Sequence, residues 1–145
     1  MVVGCSCGHF QHLMCTNVGD THLREKGKLL LIGSCMSSRY PDIVEKHRDR
    51  NGGSAVLGVC LEETHANQAG FKIGSIVRYS QIDKLTVLTV DGSPHCIQLH
   101  FLIEDIKRHF TPEVETDHYV VEKGVVHQVP AAAVKKARHL SKITQ

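Results

Sequence analysis

The hydrophobic and polar positions of the first half of the chain predict short buried strands. Residues 29–32 and 55–61 are apolar runs flanked or interrupted by glycine. Such short runs without polar positions indicate strands that are covered on both faces. Asn51-Gly52-Gly53 predicts a tight turn before the second run, because glycine adopts positive φ without steric cost. The intervening residues 42–50 fit either a helix capped by Asp42 or a polar strand.

The strongest β signal lies in the middle of the chain. Residues 74–90 are interpreted as two successive strands separated by the short loop 82–84. Asp91-Gly92 is a common hairpin signal, and residues 96–101 alternate apolar and polar positions as a partner strand would. Residues 62–70 fit one or two helical turns that end at Gly70.

The C-terminal part returns to a mixed pattern. Residues 102–110 have the spacing of an amphipathic helix. Residues 119–129 predict a second hairpin with its turn at Lys123-Gly124. Pro130 begins a basic helix that extends to about residue 144.

Composition and length predict one globular domain. The chain has 145 residues, of which 41% are hydrophobic and 22% charged, so global disorder is excluded. No apolar run approaches the roughly 20 residues of a membrane-spanning helix, and no signal peptide is evident. We therefore expect an intracellular protein of the nucleus or cytoplasm. Residues 1–27 are expected to form a Cys/His-rich leader and connector, and residues 28–145 the single domain.

Six cysteines and eleven histidines raise the question of metal binding. A dense group near the N-terminus has ligand types that zinc prefers: Cys5, Cys7, His9, His12 and Cys15. Its unbroken spacing differs from the two separated pairs of most structural zinc sites. The alternatives are a leader with adventitious thiols, or a first strand whose cysteines pack as small hydrophobic residues. The sequence predicts no cofactor, with zinc at this cluster as the alternative.

The same residue types suggest a few local candidates for nucleophilic catalysis. These are Cys60 with His65, and Cys96 with His95 and His100. A cysteine within an apolar strand is usually inert packing. The chain has no glycine-rich phosphate loop, no paired His-Glu metalloprotease motif and no Gly-x-Ser-x-Gly elbow. A non-catalytic function is therefore favoured.

The order of elements is that of a small closed barrel, and two segments resemble a known family. Residues 71–79 and the turn region 49–57 resemble the corresponding pieces of OB-fold domains of the telomere-end-binding and single-strand nucleic-acid-binding type. The resemblance covers residues 27–90. It implies a mostly β protein with flanking helices (α+β), in which an OB-like β-barrel is followed by a C-terminal hairpin and helix.

The resemblance also implies a function, namely non-catalytic binding of single-stranded DNA or RNA. Basic residues would contact phosphates and tyrosines would stack on bases, and the implied site is Arg39, Tyr40, Lys46, Arg48, Arg50, Arg78, Tyr79 and Lys84. Interleaved acidic residues also fit an ordinary solvated face. The alternative function is a structural subunit of a larger protein or ribonucleoprotein assembly. In that role the barrel is a scaffold, the basic C-terminal helix docks on partners, and no membrane is involved.

Overall fold

The computed structural model describes residues 6–7 and 10–144. In these residues one sheet of seven strands is flanked by helices. The strands are β1 (Ser6–Cys7), β2 (Phe10–His12), β3 (Lys28–Gly33), β4 (Ala55–Val59), β5 (Lys84–Val90), β6 (Glu115–Glu122) and β7 (Val125–Val129). The α-helices are α1 (Thr21–Lys26), α2 (Ser34–Arg39), α3 (Pro41–Arg48), α4 (Ala66–Tyr79), α5 (Pro94–His109) and α6 (Ala131–Ala137).

The sheet is open and mostly parallel. Its spatial order is β1-β2-β4-β3-β5-β6-β7, and the five strands from β2 to β6 run parallel. β1 and β7 pair antiparallel at the two edges. After β1 and β2 at one edge, the chain enters the centre of the sheet with β3, adds β4 on one side of it and then β5 on the other. The direction of winding therefore reverses between β3 and β5, which creates a crevice at the carboxyl ends of these strands.

Alternation along β3 places the core on both faces of the sheet. Leu29 and Leu31 pack with α4 and α5 in one apolar cluster, whereas Leu30 and Ile32 pack with α2 and α3 in another. Successive side chains of a strand point to opposite faces, so a strand covered on both sides needs an unbroken apolar run. The prediction of buried strands at residues 29–32 and 55–61 is confirmed for the segments that form β3 and β4.

The predicted fold class is wrong. The structure is an open α/β sheet with alternating helices, and not a mostly β, OB-like barrel. Residues 74–79 belong to α4, so the first of the two strands predicted in residues 74–90 is wrong, whereas the second is confirmed as β5. The buried positions of α4 are Ala69, Ile73, Ile76 and Val77, a helical spacing whose last members also fit a short strand. Gly70 lies inside this helix and does not end it.

The predicted partner strand at residues 96–101 is also wrong, because this segment belongs to α5. The buried face of α5 repeats at helical spacing and includes Leu99, Ile103 and Ile106. Ile97, which the alternating pattern placed beside Leu99 on one face, is 43% exposed. Ser93-Pro94 signals the start of a helix and not a hairpin turn. The Ser93 side chain caps α5 by accepting a hydrogen bond from the Cys96 amide, and Pro94 occupies the first turn.

Other local predictions are confirmed. Residues 42–50 are helical over most of their length, as one of the two alternatives required, but the helix begins at Pro41 and Asp42 lies in its first turn and does not cap it. β6 and β7 form the C-terminal hairpin, with Lys123 and Gly124 in the left-handed region at φ 50° and 81°. The C-terminal helix begins after Pro130 but is shorter than expected. No helix in the described ranges has both the length and the apolar character needed to cross a membrane.

Two glycines offer a matched test of this fold. A Cβ added at Gly74, inside α4, would lie 4.0 Å from Ile106 Cγ2, an ordinary contact. We expect Gly74→Ala to raise the free energy of unfolding by about 0.5–1 kcal/mol, since alanine favours a helix interior. Gly124→Ala should lower it by about 1 kcal/mol, because φ is positive there. Urea denaturation measures both; stabilisation by Gly124→Ala would contradict the hairpin turn.

Candidate functional site

A crevice lies at the carboxyl ends of β3, β4 and β5, where the winding of the sheet reverses. It encloses about 260 Å³. Ligands of open α/β sheets bind at this position, because helix and strand ends diverge there and leave room. We therefore take this cavity, named the thiol crevice for the residues described next, as the candidate site.

Each of the three strands that reach the crevice is followed by a cysteine. Cys35 is the second residue of α2, Cys60 directly follows β4, and Cys96 is in the first turn of α5. All three line the crevice, and all three are free thiols. Parallel strands end at the same edge of a sheet, so residues far apart in sequence converge there.

Gly33, the last residue of β3, allows two of the sulfur atoms to approach each other. A Cβ at Gly33 would lie 3.2 Å from Cys96 Sγ and 3.9 Å from Cys35 Sγ, so both thiols pack against its backbone. Burial raises the pKa of Cys35 to about 11, with further contributions from Cys96, to which it hydrogen-bonds, and from Cys60. At neutral pH Cys35 is therefore a protonated thiol and a poor nucleophile.

Polar side chains form the rim of the crevice. Arg39, Glu62 and His95 line it, and His95 Nδ1 lies 3.9 Å from Glu62 Oε2. His95 is positioned by the first turn of α5, next to Cys96. Its imidazole could serve as a further ligand for a metal ion. As the structure stands, no three His, Cys, Asp or Glu side chains within residues 6–7 and 10–144 are arranged to hold a metal.

A second cavity, of about 340 Å³, adjoins the thiol crevice and shares Val90 and Ser93 with it. Thr89 and His100 contribute the buried polar groups of its lining. Thr89 Oγ1 lies 2.7 Å from His100 Nε2, and His100 Nδ1 lies 2.9 Å from His118 Nδ1. Burial and the neighbouring His118 lower the pKa of His100 to about 3, so His100 is neutral at physiological pH.

The structure does not bring together the residues that the nucleic-acid prediction named. Those on α2 and α3 lie on one face of the sheet, Arg78 and Tyr79 end α4 on the other face, and Lys84 begins β5. Many of their groups are already engaged: Lys84 pairs with Asp117 at 2.8 Å, and Arg78 donates to the Phe110 carbonyl. The full set is Arg39, Tyr40, Lys46, Arg48, Arg50, Arg78, Tyr79 and Lys84.

The N-terminal cluster falls partly outside the described residues. Cys5 and His9 lie outside them, as does the side chain of Cys7. His12 Nε2 lies 3.2 Å from Glu63 Oε1, and Cys15 is disulfide-bonded. A disulfide sulfur is not a thiolate ligand. Zinc binding by this cluster stays a prediction.

The candidate catalytic pairs are regrouped by the fold. Cys60, Cys96 and His95 meet in the thiol crevice, whereas His65 caps α4 by accepting from the Asn67 amide. Sequence reasoning missed Cys35 altogether. The available signal was one cysteine just after each of three strands, but it has meaning only once the strands are known to be parallel neighbours.

Comparison with known proteins identifies the family. The family model of the Rossmann-like domain matches residues 21–144, while neither the curated proteins nor the solved structures yield a match. The resemblance to OB-fold domains is therefore wrong, and so is the single-strand nucleic-acid-binding function drawn from it. The barrel scaffold of the alternative function is likewise replaced by an α/β sheet. With a match over most of its length, the chain belongs to the Rossmann-like domain family.

Proposed function

We propose that the thiol crevice binds a thiophilic metal centre through Cys35, Cys60 and Cys96. The observation that carries this proposal is the convergence of three free thiols, which follow β3, β4 and β5 in the chain, at the switch point of the sheet. Sulfur ligands select soft or borderline metals such as zinc, copper(I) and iron in iron–sulfur clusters. His95 also lines the crevice and is the candidate for a fourth ligand.

The protonation of Cys35 argues against Cys35 as a free nucleophile. A catalytic cysteine needs a lowered pKa, but burial and neighbouring thiols raise that of Cys35 to about 11. The same burial that disfavours thiolate anions favours their neutralisation by a cation, which displaces the protons on binding. The three sulfur atoms are not yet at coordinating positions. Metal binding therefore requires the three cysteine side chains to move closer together.

The local sequence argues against a dinucleotide in this position. Dinucleotide-binding members of this architecture carry Gly-x-Gly-x-x-Gly after the first strand, and their pyrophosphate contacts a helix N-terminus. Here Gly33 is followed by Ser34-Cys35-Met36-Ser37-Ser38, without a further glycine. α2 begins directly at Ser34 and has six residues.

Metal uptake provides the test. We expect the reduced, metal-free protein to bind about one Co²⁺ or Cd²⁺ per chain with the ultraviolet charge-transfer absorption of thiolate ligation, because sulfur ligands favour such metals. The triple variant Cys35→Ser, Cys60→Ser, Cys96→Ser should lose this band. Equal absorption from the triple variant, at a far-ultraviolet circular dichroism that shows an intact fold, would refute the proposal.

A second candidate is reversible disulfide formation between Cys35 and Cys96, which their hydrogen bond favours. Two S–H bonds would break, one S–S bond would form, and two electrons and two protons would pass to an external disulfide. The raised pKa of Cys35 slows such exchange, because the attacking species is the thiolate. Metal-free protein that readily forms this disulfide with oxidised glutathione, without binding Co²⁺ or Cd²⁺, would select this alternative.

A further inference from the structure

The cavity of about 340 Å³ that adjoins the thiol crevice lies between α6 and the elements β5, α5, β6 and β7. We call it the α6 cavity. Its wall is mostly apolar, and α6 contributes only short side chains to it, those of Ala133, Val134 and Ala137. These side chains leave room between α6 and the sheet. Cavities of this size with mostly apolar walls and a few fixed polar groups are typical of sites for small organic molecules.

Two buried polar side chains line the α6 cavity. They are Thr89 and His100, which are only 1% and 3% exposed. A Cβ at Gly33 would lie 3.7 Å from Thr89 Cγ2, so the methyl group of Thr89 faces the thiol crevice. Thr89 Oγ1 instead lies 2.7 Å from His100 Nε2. The Thr89 hydroxyl is therefore the polar group that a molecule in the α6 cavity would meet.

The hydrogen-bond partners of these two side chains fix the polarity of the Thr89 hydroxyl. A carboxylate only accepts, so His118 Nε2 donates to Glu104 Oε2, 2.6 Å away. Burial favours the uncharged ring of His118, which is 1% exposed, and its bare Nδ1 then accepts from His100 Nδ1 at 2.9 Å. The bare Nε2 of His100 accepts from Thr89. Because this bond uses the one proton of the Thr89 hydroxyl, its oxygen can only accept from a ligand.

We propose that the α6 cavity binds a small, uncharged and mostly apolar molecule that donates one hydrogen bond, from an N–H or O–H group, to Thr89 Oγ1. Thr89 and His100 are both neutral, so an ionic group beside them would lack a partner of opposite charge, and burying it would be costly. Asp91 is the one ionised side chain among the lining residues, and it is exposed. This proposal does not depend on metal binding in the thiol crevice.

The geometry of Thr89 and His100 also fits a nucleophile and its general base, but His100 is too weak a base for that role. Burial and His118 lower the pKa of His100 to about 3. A general base works best when its pKa is near the operating pH, and a ring with this pKa does not remove the proton of a hydroxyl at neutral pH. The hydrogen-bonded line from Glu104 to Thr89 therefore orients the Thr89 hydroxyl for binding and does not activate it.

Three bicyclic probes of nearly the same shape test the proposal: indole donates through its N–H, benzofuran only accepts, and indene does neither. We expect indole to bind at least about tenfold more tightly than the other two, because only its N–H pairs with the Thr89 oxygen. NMR titration, followed through the Thr89 methyl group and the His100 ring, gives both the dissociation constants and the place of binding. Indole fluorescence is an independent measure, since the chain has no tryptophan. Tighter binding of benzofuran, equal binding of all three probes, or no shift at Thr89 and His100 would overturn the proposal.

Two neighbouring alanines of α6 provide a matched pair of variants. Ala133 lines the α6 cavity, so Ala133→Leu should fill part of it and weaken indole binding at least about tenfold. Ala132 does not line this cavity, and Ala132→Leu should leave indole binding unchanged. Both substitutions replace an exposed alanine with another strong helix former, and far-ultraviolet circular dichroism checks that both variants keep the fold. Equal indole binding by wild type and Ala133→Leu, or equal loss in the two variants, would contradict binding in the α6 cavity.

Discussion

Replacing Cys35 by serine is expected to lower the affinity of the thiol crevice for Zn²⁺ at least about 100-fold. Loss of a residue that only supports a metal ligand already costs 10–100-fold, so loss of a ligand should cost at least as much. A serine hydroxyl is a hard donor that stays protonated, and it cannot replace a thiolate. Competition with a chromophoric chelator measures the change in dissociation constant.

Substitutions of the other two crevice cysteines, and of one methionine outside the crevice, test the same metal site. Cys60→Ser and Cys96→Ser should weaken Zn²⁺ binding to a similar extent, since each removes one of the three thiols that line the crevice. Met14→Leu removes a sulfur atom at a position 37% exposed and outside the crevice, so its affinity should equal that of wild type. Equal affinities for wild type and Cys35→Ser would remove Cys35 from the site.

The local elements that the sequence predicted correctly are those whose pattern has a single interpretation. Leu29 to Ile32 is too short and too apolar for anything but a buried strand, and β3 has this character. Lys123-Gly124 fixes a hairpin turn through its own backbone preferences. Both signals depend on a few adjacent residues. They needed no knowledge of what packs against them.

The errors arose where two periodicities overlap. Ile76 and Val77 are β-branched and follow a Gly-Ser pair, so within a short window they fit a strand as well as a helix. Their helical role depends on residues upstream of them, Ile73 one turn away and Ala69 two turns away, and on the partner surface of α5. With the end of α4 interpreted as a strand, the order of elements matches that of a barrel. The resemblance to OB-fold domains depends on that order.

The candidate site was harder to predict than the strands, because it depends on topology. The sequence places Cys60 and Cys96 in two separate candidate sites, each with histidines that are nearby in sequence. Their neighbour in the structure is Cys35, which follows a different strand. Only the parallel pairing of β3 with both β4 and β5 brings the three thiols to one edge. The buried line through His100 and His118 likewise joins α5 to β6 and has no signature within either segment.

Acidification from pH 7 to pH 4 is expected to destabilise the protein strongly, and His100 should account for much of the loss. Its pKa is about 3 in the folded protein, against 6.5 for an unperturbed histidine. The unfolded chain therefore binds a proton as pH falls below 6.5, whereas the folded chain does not until about 3. Stability present above pH 6.5 is lost across this window, to a limit of about 5 kcal/mol at 1.4 kcal/mol per pKa unit.

Urea unfolding at intervals between pH 7 and pH 4 measures this loss, and His100→Gln isolates its source. Glutamine retains hydrogen-bonding groups but has no titratable ring, so the variant should start from a lower stability at pH 7 and show a shallower decline. Carboxyl groups titrate in both proteins, and the difference between the two slopes therefore reports His100. Parallel slopes for wild type and His100→Gln would mean that the buried imidazole already accepts a proton in the folded state near its ordinary pKa, which would contradict the lowered pKa of His100.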